Sequence, residues 1–145
     1  MARKMFIDPG TNSSGWAVFE GDYLLAHGTV IATGSTFERL NSMSSDYFNL
    51  ALNYQPEYVY FERMNRAVNV ACIWFVGAIG VAIMEGWHPA KICAQYADQI
   101  SPSMWKRYEN EYKVFNNLVK DCTSNDEAVA ILLGLAYNKY LEGKK

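Results

Sequence analysis

Three strand-like segments precede the first helical repeat, and this front-loading narrows the folds open to the chain. Met5 to Ile7, Gly15 to Glu20 and Tyr23 to Val30 are apolar runs separated by Gly, Asn and Ser. Gly21-Asp22 reads as a hairpin turn, so these strands should pair antiparallel. From Ser35, a helix N-cap, the residues Phe37, Leu40, Met43, Tyr47, Leu50 and Ala51 recur at helical spacing until Asn53 to Pro56 interrupts them. A fourth strand, Tyr58 to Phe61, runs straight into Glu62. A long apolar helix is expected from about Asn65 to Gly86, carrying Gly77 and Gly80 and ended by His88-Pro89. Its apolar residues extend most of the way round, which predicts burial on two sides, by the sheet and by a second subunit.

A fifth strand over Lys91 to Tyr96 precedes Ser101-Pro102, which opens a short helix containing Trp105, Lys106 and Arg107. Glu109 to Lys113 reads as a flexible loop and Val114 to Val119 as a short helix. Ser124-x-x-Glu127 reads as a capping box for a last helix to about Leu141. The order βββαβαβα predicts an α/β fold with a mixed five-stranded sheet, three antiparallel strands extended by parallel ones, and helices on its faces.

The 145 residues suit one domain over 1–145, and 50% hydrophobic with 19% charged residues excludes a disordered chain. A formal net charge of −2 gives none of the basic excess usual in nucleic-acid binders, so any DNA contact must come from a local basic face. Cys72, Cys93 and Cys122 are odd in number and lack CxxC spacing, and Met-Ala-Arg-Lys leads directly into a strand. The expectation is a cytoplasmic protein with reduced thiols. The longest apolar stretch, Val70 to Met84, is shorter than the roughly 20 residues of a membrane span.

Three acids occupy element ends: Asp8 after the first strand, Glu62 after the fourth and Asp126 in the first turn of the last helix. Each alone has an ordinary reading, as a turn residue, a surface acid and a helix-dipole partner respectively. If strands one and four are neighbours, Asp8 and Glu62 emerge side by side and repel unless a cation such as Mg²⁺ lies between them. A third acid on a helix crossing the sheet completes a site for two cations about 4 Å apart, suited to in-line attack of water on a phosphodiester.

FIDPGTNSSGWAVF resembles the first motif of the RuvC family of Holliday-junction resolvases, within the RNase H-like superfamily, and YVYFERMN resembles the second. NDEAVAILLGLAYNKY is similar to the family's terminal helix, and SPSMWKRY to the segment bearing a basic residue near the active site. The short length suits the compact members found in phages. The resemblance implies an RNase H-like nuclease domain that nicks four-way junctions in symmetric pairs, using Mg²⁺, with Mn²⁺ as a substitute, two ions per site. It assigns catalysis to Asp8, Glu62, Asp126 and Lys106, with the three acids as metal ligands. The family's last helix carries two acids, or a His and an acid, three residues apart. Here Thr123 and Val129 stand at that spacing from Asp126, leaving Glu127 or Asp121 as alternatives for a fourth ligand.

Arg63, Arg66, Lys106, Arg107, Lys113 and Lys120 border the acid motifs and form the expected phosphate-binding set. Lys106 is placed to steady charge developing at the scissile phosphate. Met64 and Asn65 occupy the positions the family presents at the branch point. His27 and His88 lie away from the acid motifs and read as structural or surface residues. Paired nicking calls for a homodimer, with the helix around Val70 to Met84 as its seam. The rivals are a broader branched-DNA or flap nuclease, a ribonuclease H acting on hybrids, a non-catalytic junction-binding module, and an actin-like ATPase lobe suggested by Asp-x-Gly-Thr-Asn-Ser.

Overall fold

A computed structural model describes residues 2–62, 70–93, 101–111 and 122–141. Among these, five strands form one sheet in the order β3-β2-β1-β4-β5. They are β1 (Arg3–Asp8), β2 (Ser13–Glu20), β3 (Tyr23–Ile31), β4 (Tyr58–Phe61) and β5 (Lys91–Cys93). The first three pair antiparallel, whereas β4 joins β1, and β5 joins β4, in parallel. The mixed sheet expected from the element order is present, with strands one and four adjacent. Among the described residues four helices flank it: α1 (Thr36–Tyr54), α2 (Val70–Gly86), α3 (Pro102–Glu111) and α4 (Asn125–Tyr140).

Strand side chains alternate between the two faces, so the strands supply two cores. Met5, Ile7, Val18, Val59 and Phe61 pack under Met43, Tyr47 and Ala51 of α1 and Phe75, Ile79 and Ile83 of α2. Phe6, Ala17, Phe19 and Tyr60 face the other way, onto Val129, Ala130, Leu133 and Tyr137 of α4, with Trp105 of α3 beside them. Phe6 stacks on Tyr60 with ring centres 5.3 Å apart, and the Tyr60 and Tyr137 hydroxyls hydrogen-bond at 2.9 Å.

Helix ends follow their caps. Ser35 and Glu38 form a full capping box at α1. At α4, Ser124 accepts from the Glu127 N–H at 3.1 Å, but the Glu127 carboxylate accepts from the Thr123 N–H instead of returning to Ser124. The capping box expected there is therefore half made. Helix α3 runs through Glu111, so residues 109–111 of the expected loop are helical. Arg107 donates to Glu111 at 2.8 Å one turn on, and the Tyr140 hydroxyl donates to Glu111 at 2.6 Å, fastening α3 to α4.

Helix α2 buries Phe75, Ile79 and Ile83 against the sheet side while leaving Val70, Ile73, Trp74, Val81 and Met84 about half exposed. Among the described residues it is covered on one side only. None of the described helices is long and apolar enough to cross a membrane. Residues 65–69 of the expected long helix, 94–96 of the fifth strand and the expected helix over 114–119 lie outside the described residues.

Candidate active site

Strand parity places the acids. Asp8 follows Phe6 and Glu62 follows Tyr60 on the α4 side of the sheet, because residues two apart share a face. The β1–β4 ladder continues one bond past the strand end, with the Glu62 N–H donating to the Ile7 carbonyl at 2.9 Å, which brings Glu62 beside Asp8. On the other flank Asp8 is in register with Gly15 of β2, and Gly15 with Thr29 of β3. A row of Thr29, Gly15, Asp8 and Glu62 thus crosses four strands on one face.

The start of α4 lies over this row. A Cβ added at Gly15 would fall inside the Asp126 carbonyl group, so the missing side chain lets the helix backbone rest directly on the sheet. Asp126 then reaches Asp8 and Glu62, and its charge acts on both.

The electrostatics show how crowded the cluster is. Burial, then the charges of Glu62 and Asp126 and a hydrogen bond with Asp126, push the Asp8 carboxyl up to about 9. Burial also raises Glu62, with Asp126 adding to it. The Trp105 indole N–H, which donates to Glu62 Oε2 at 2.5 Å, and the nearby Lys106 ammonium oppose that rise. Without a positive partner, Asp8 holds a proton at neutral pH. Three clustered carboxyls supplying only hard oxygen donors fit a divalent cation that replaces this proton.

Behind the row, on the α1 side, the buried Ser14 hydroxyl donates to the Asp8 carbonyl at 3.0 Å and pairs with the Tyr47 hydroxyl at 2.6 Å. Arg39 donates to the Thr11 carbonyl at 3.1 Å and to Asn12 Oδ1 at 2.6 Å, tying the loop after Asp8 to α1.

The structure brings together Asp8, Glu62 and Asp126 and sets Lys106 close enough to act on Glu62. Lys106 also lies over the Trp105 ring, 5.6 Å from its centre. Arg107 is exposed, donates to Glu111 and stacks on Tyr140 at 4.3 Å. Of the two alternatives for a fourth ligand, Glu127 turns toward β3 and bonds His27, Thr29 and Thr123, while Asp121 lies outside the described residues. Arg63, Met64, Asn65, Arg66, Lys113 and Lys120 also lie outside them. His27, distant from the acid motifs in sequence, touches the residue next to Asp126.

Ser14, Gly15, Tyr47, Trp105 and His27 were not legible as site residues. Gly15 has a signal in the strand register, since residues 8, 15 and 29 fall in one row once the hairpins are aligned. Trp105 and Tyr47 have none, because their partners are set by tertiary packing.

No family model matches the sequence, and no curated protein matches it. Solved structures do. The RuvC of Thermus thermophilus, in complex with a Holliday junction substrate, superposes with a TM-score of 0.73 at 16% identity, covering 94% of this chain and 92% of that one. The fold is that of RuvC. A second structure of the Thermus thermophilus RuvC gives 0.69 at 17% identity, over 93% and 92% of the two chains. The fowlpox virus Holliday junction resolvase gives 0.56 at 20% identity, over 96% and 99%. The RNase H-like, RuvC-type architecture expected from the motifs is thus the one observed, and the site lies on the α4 face of that RuvC sheet.

Proposed function

We propose that the chain, acting as one nuclease domain over residues 1–145, is a metal-dependent endonuclease that resolves four-way DNA junctions by paired symmetric nicks. The observation that carries this reading is the convergence of Asp8, Glu62 and Asp126 at one strand end, with Asp8 raised to about 9 by burial and then by the charges of its neighbours. Such crowding is costly to a fold and gains purpose when a cation is held there. The RuvC and fowlpox resolvase structures, two of them with junction DNA, support the choice of substrate.

In this reading Asp8, Glu62 and Asp126 hold Mg²⁺, or Mn²⁺ in its place, at two ions per site. When bound, the metal activates water and stabilises the leaving oxygen of the phosphodiester. The Trp105 N–H fixes one oxygen of Glu62, leaving the other to face the cluster. Lys106 supplies a positive charge beside the acids for the scissile phosphate. Arg63, Met64, Asn65, Arg66, Arg107 and Lys113 contribute the DNA-facing set.

Two cuts need two sites, and a second copy of the chain packed on α2 supplies the other. Support comes, among the described residues, from the half-exposed strip of Val70, Ile73, Trp74 and Val81, from open space around Gly77, and from a cavity of about 510 Å³ between α1 and α2 lined by Phe37, Leu40, Trp74 and Ala78. The setting is the cytoplasm of a bacterium or phage-infected host cell.

The test is incubation of the chain, and of Asp8→Asn, with Mg²⁺ or Mn²⁺ and labelled four-way, three-way, flap, linear and RNA/DNA substrates. Paired nicks on the four-way junction, lost in the variant, are expected. Binding with no cleavage in either metal refutes the enzyme, equal cutting of flaps broadens the substrate class, and ATP hydrolysis favours the actin-like reading.

A further inference from the structure

We infer that Glu127 is a positioning residue for Asp126, clamping the first turn of α4 to β3 so that Asp126 meets Asp8 and Glu62. This rests on the nuclease reading above. Glu127 is 3% exposed, and burying a carboxylate is expensive unless donors surround it. Here they do. Oε1 accepts from the Thr29 hydroxyl at 2.9 Å, the Thr123 N–H at 3.1 Å and the Thr123 hydroxyl at 2.9 Å, and Oε2 pairs with His27 Nδ1. A closed ring reinforces the clamp: the Glu127 N–H donates to Ser124, the Ser124 hydroxyl lies 2.7 Å from Thr29, and Thr29 donates back to Glu127.

Capping does not account for this arrangement, since Ser124 already caps the helix. The layout does. The Asp126 peptide rests on Gly15, Asp126 reaches toward β1 and β4, and Glu127 reaches the opposite way to β3. With the contact at Gly15 as pivot, fixing Glu127 fixes the roll of the first turn and with it the Asp126 carboxylate. His27, Cys122 and Glu127 donor atoms do lie within 4.8 Å of one another. The Glu127 oxygens are already filled by four donors, which favours a hydrogen-bonded clamp over a second cation site.

The experiment measures Mn²⁺ binding to the DNA-free chain by electron paramagnetic resonance, and single-turnover junction cleavage against Mn²⁺ concentration, for wild type, Glu127→Gln and Thr29→Val. Glu127→Gln is expected to weaken Mn²⁺ binding and raise the half-saturating concentration about tenfold, with the maximal rate recovering at high metal. Junction binding without divalent metal is expected to stay within about twofold, because among the described residues the clamp touches none assigned to DNA. Thr29→Val, which keeps the carboxylate and removes one donor, is expected to shift both in the same direction by about threefold, and it decides the matter if Glu127→Gln does not fold. Unchanged Mn²⁺ affinity in a folded variant overturns the inference, as does a lowered maximal rate at unchanged half-saturation. One zinc per wild-type chain, lost in Cys122→Ser, also overturns it by making the cluster a cation site. A wild type that neither binds Mn²⁺ nor cuts overturns the nuclease reading and this inference with it, a result distinct from variants that bind as well as wild type.

Discussion

The end of β1 presents two contrasting environments across the thickness of one sheet. On the α1 side, Ser14 and Tyr47 pair at 2.6 Å in a closed, buried contact beneath the Asp8 main chain. On the α4 side, Asp8, Glu62 and Asp126 crowd one another, and Asp8 rises to about 9. Both come from the same strand alternation, yet one pairs its buried hydroxyls with each other and with the main chain while the other accumulates like charge. The difference separates support from chemistry: the first side is built for stability, the second carries a cost that a proton or a bound cation relieves.

Substitutions on the two sides should therefore split into activity and stability effects. The largest is expected from Asp8→Asn, with junction cleavage falling at least about a thousandfold while the fold is kept. Gly15→Ala comes next. Its methyl group displaces the Asp126 backbone, and a loss of about a hundredfold is expected in cleavage, with far-UV circular dichroism confirming a folded chain.

The pH dependence sharpens the same contrast. Asp8 is raised in the folded state, so the folded chain retains a proton that the unfolded chain releases above about pH 4. Its contribution to metal-free stability is complete below the unfolded value and is lost as pH rises toward about 9, with a slope of at most about 1.4 kcal/mol per pH unit. Metal-free melting temperatures should fall from pH 5 to 9, flatten in Asp8→Asn and flatten when Mn²⁺ is added. The half-saturating metal concentration should fall by up to about tenfold per pH unit over the same range.

Trp105→Phe removes the bond that opposes the rise of Glu62, and about a tenfold loss in cleavage at low metal is expected, checked by metal titration. The smallest effect on catalysis is expected on the far side. Tyr47→Phe should cost about 1 kcal/mol in denaturant unfolding and change cleavage by no more than about twofold, since Ser14 still donates to the Asp8 carbonyl. If Tyr47→Phe damages cleavage as much as Trp105→Phe, the division between the two sides fails.

What could be read from the chain follows the range of the interactions. Alternation within each strand and the acid at its end put Asp8 and Glu62 on one face as soon as strands one and four were taken as neighbours. The capping Ser124 likewise located the helix that carries Asp126. The clamp did not show, because Glu127 meets His27 and Thr29 about a hundred positions away, across strands whose register no local pattern reveals. The expected capping box failed for a related reason. Thr123 offered Glu127 both an N–H and a hydroxyl, and Thr29 a third donor, against the single Ser124 N–H of the motif. The expected loop at 109–111 was judged from charge, and the same charges, Arg107 and Glu111, instead support the helix.

The contact at Gly15 sets the first turn of α4 directly on the sheet. Because α4 is seated there main chain against missing side chain, the height of Asp126 above the sheet is set at that contact by backbone, while Val129, Ala130 and Leu133 seat the turns that follow. A larger side chain at position 15 has nowhere to go except into the Asp126 main chain, so replacement there moves an acid directly. In a deep mutational scan, position 15 should rank next after Asp8 in intolerance, although it contributes no functional group.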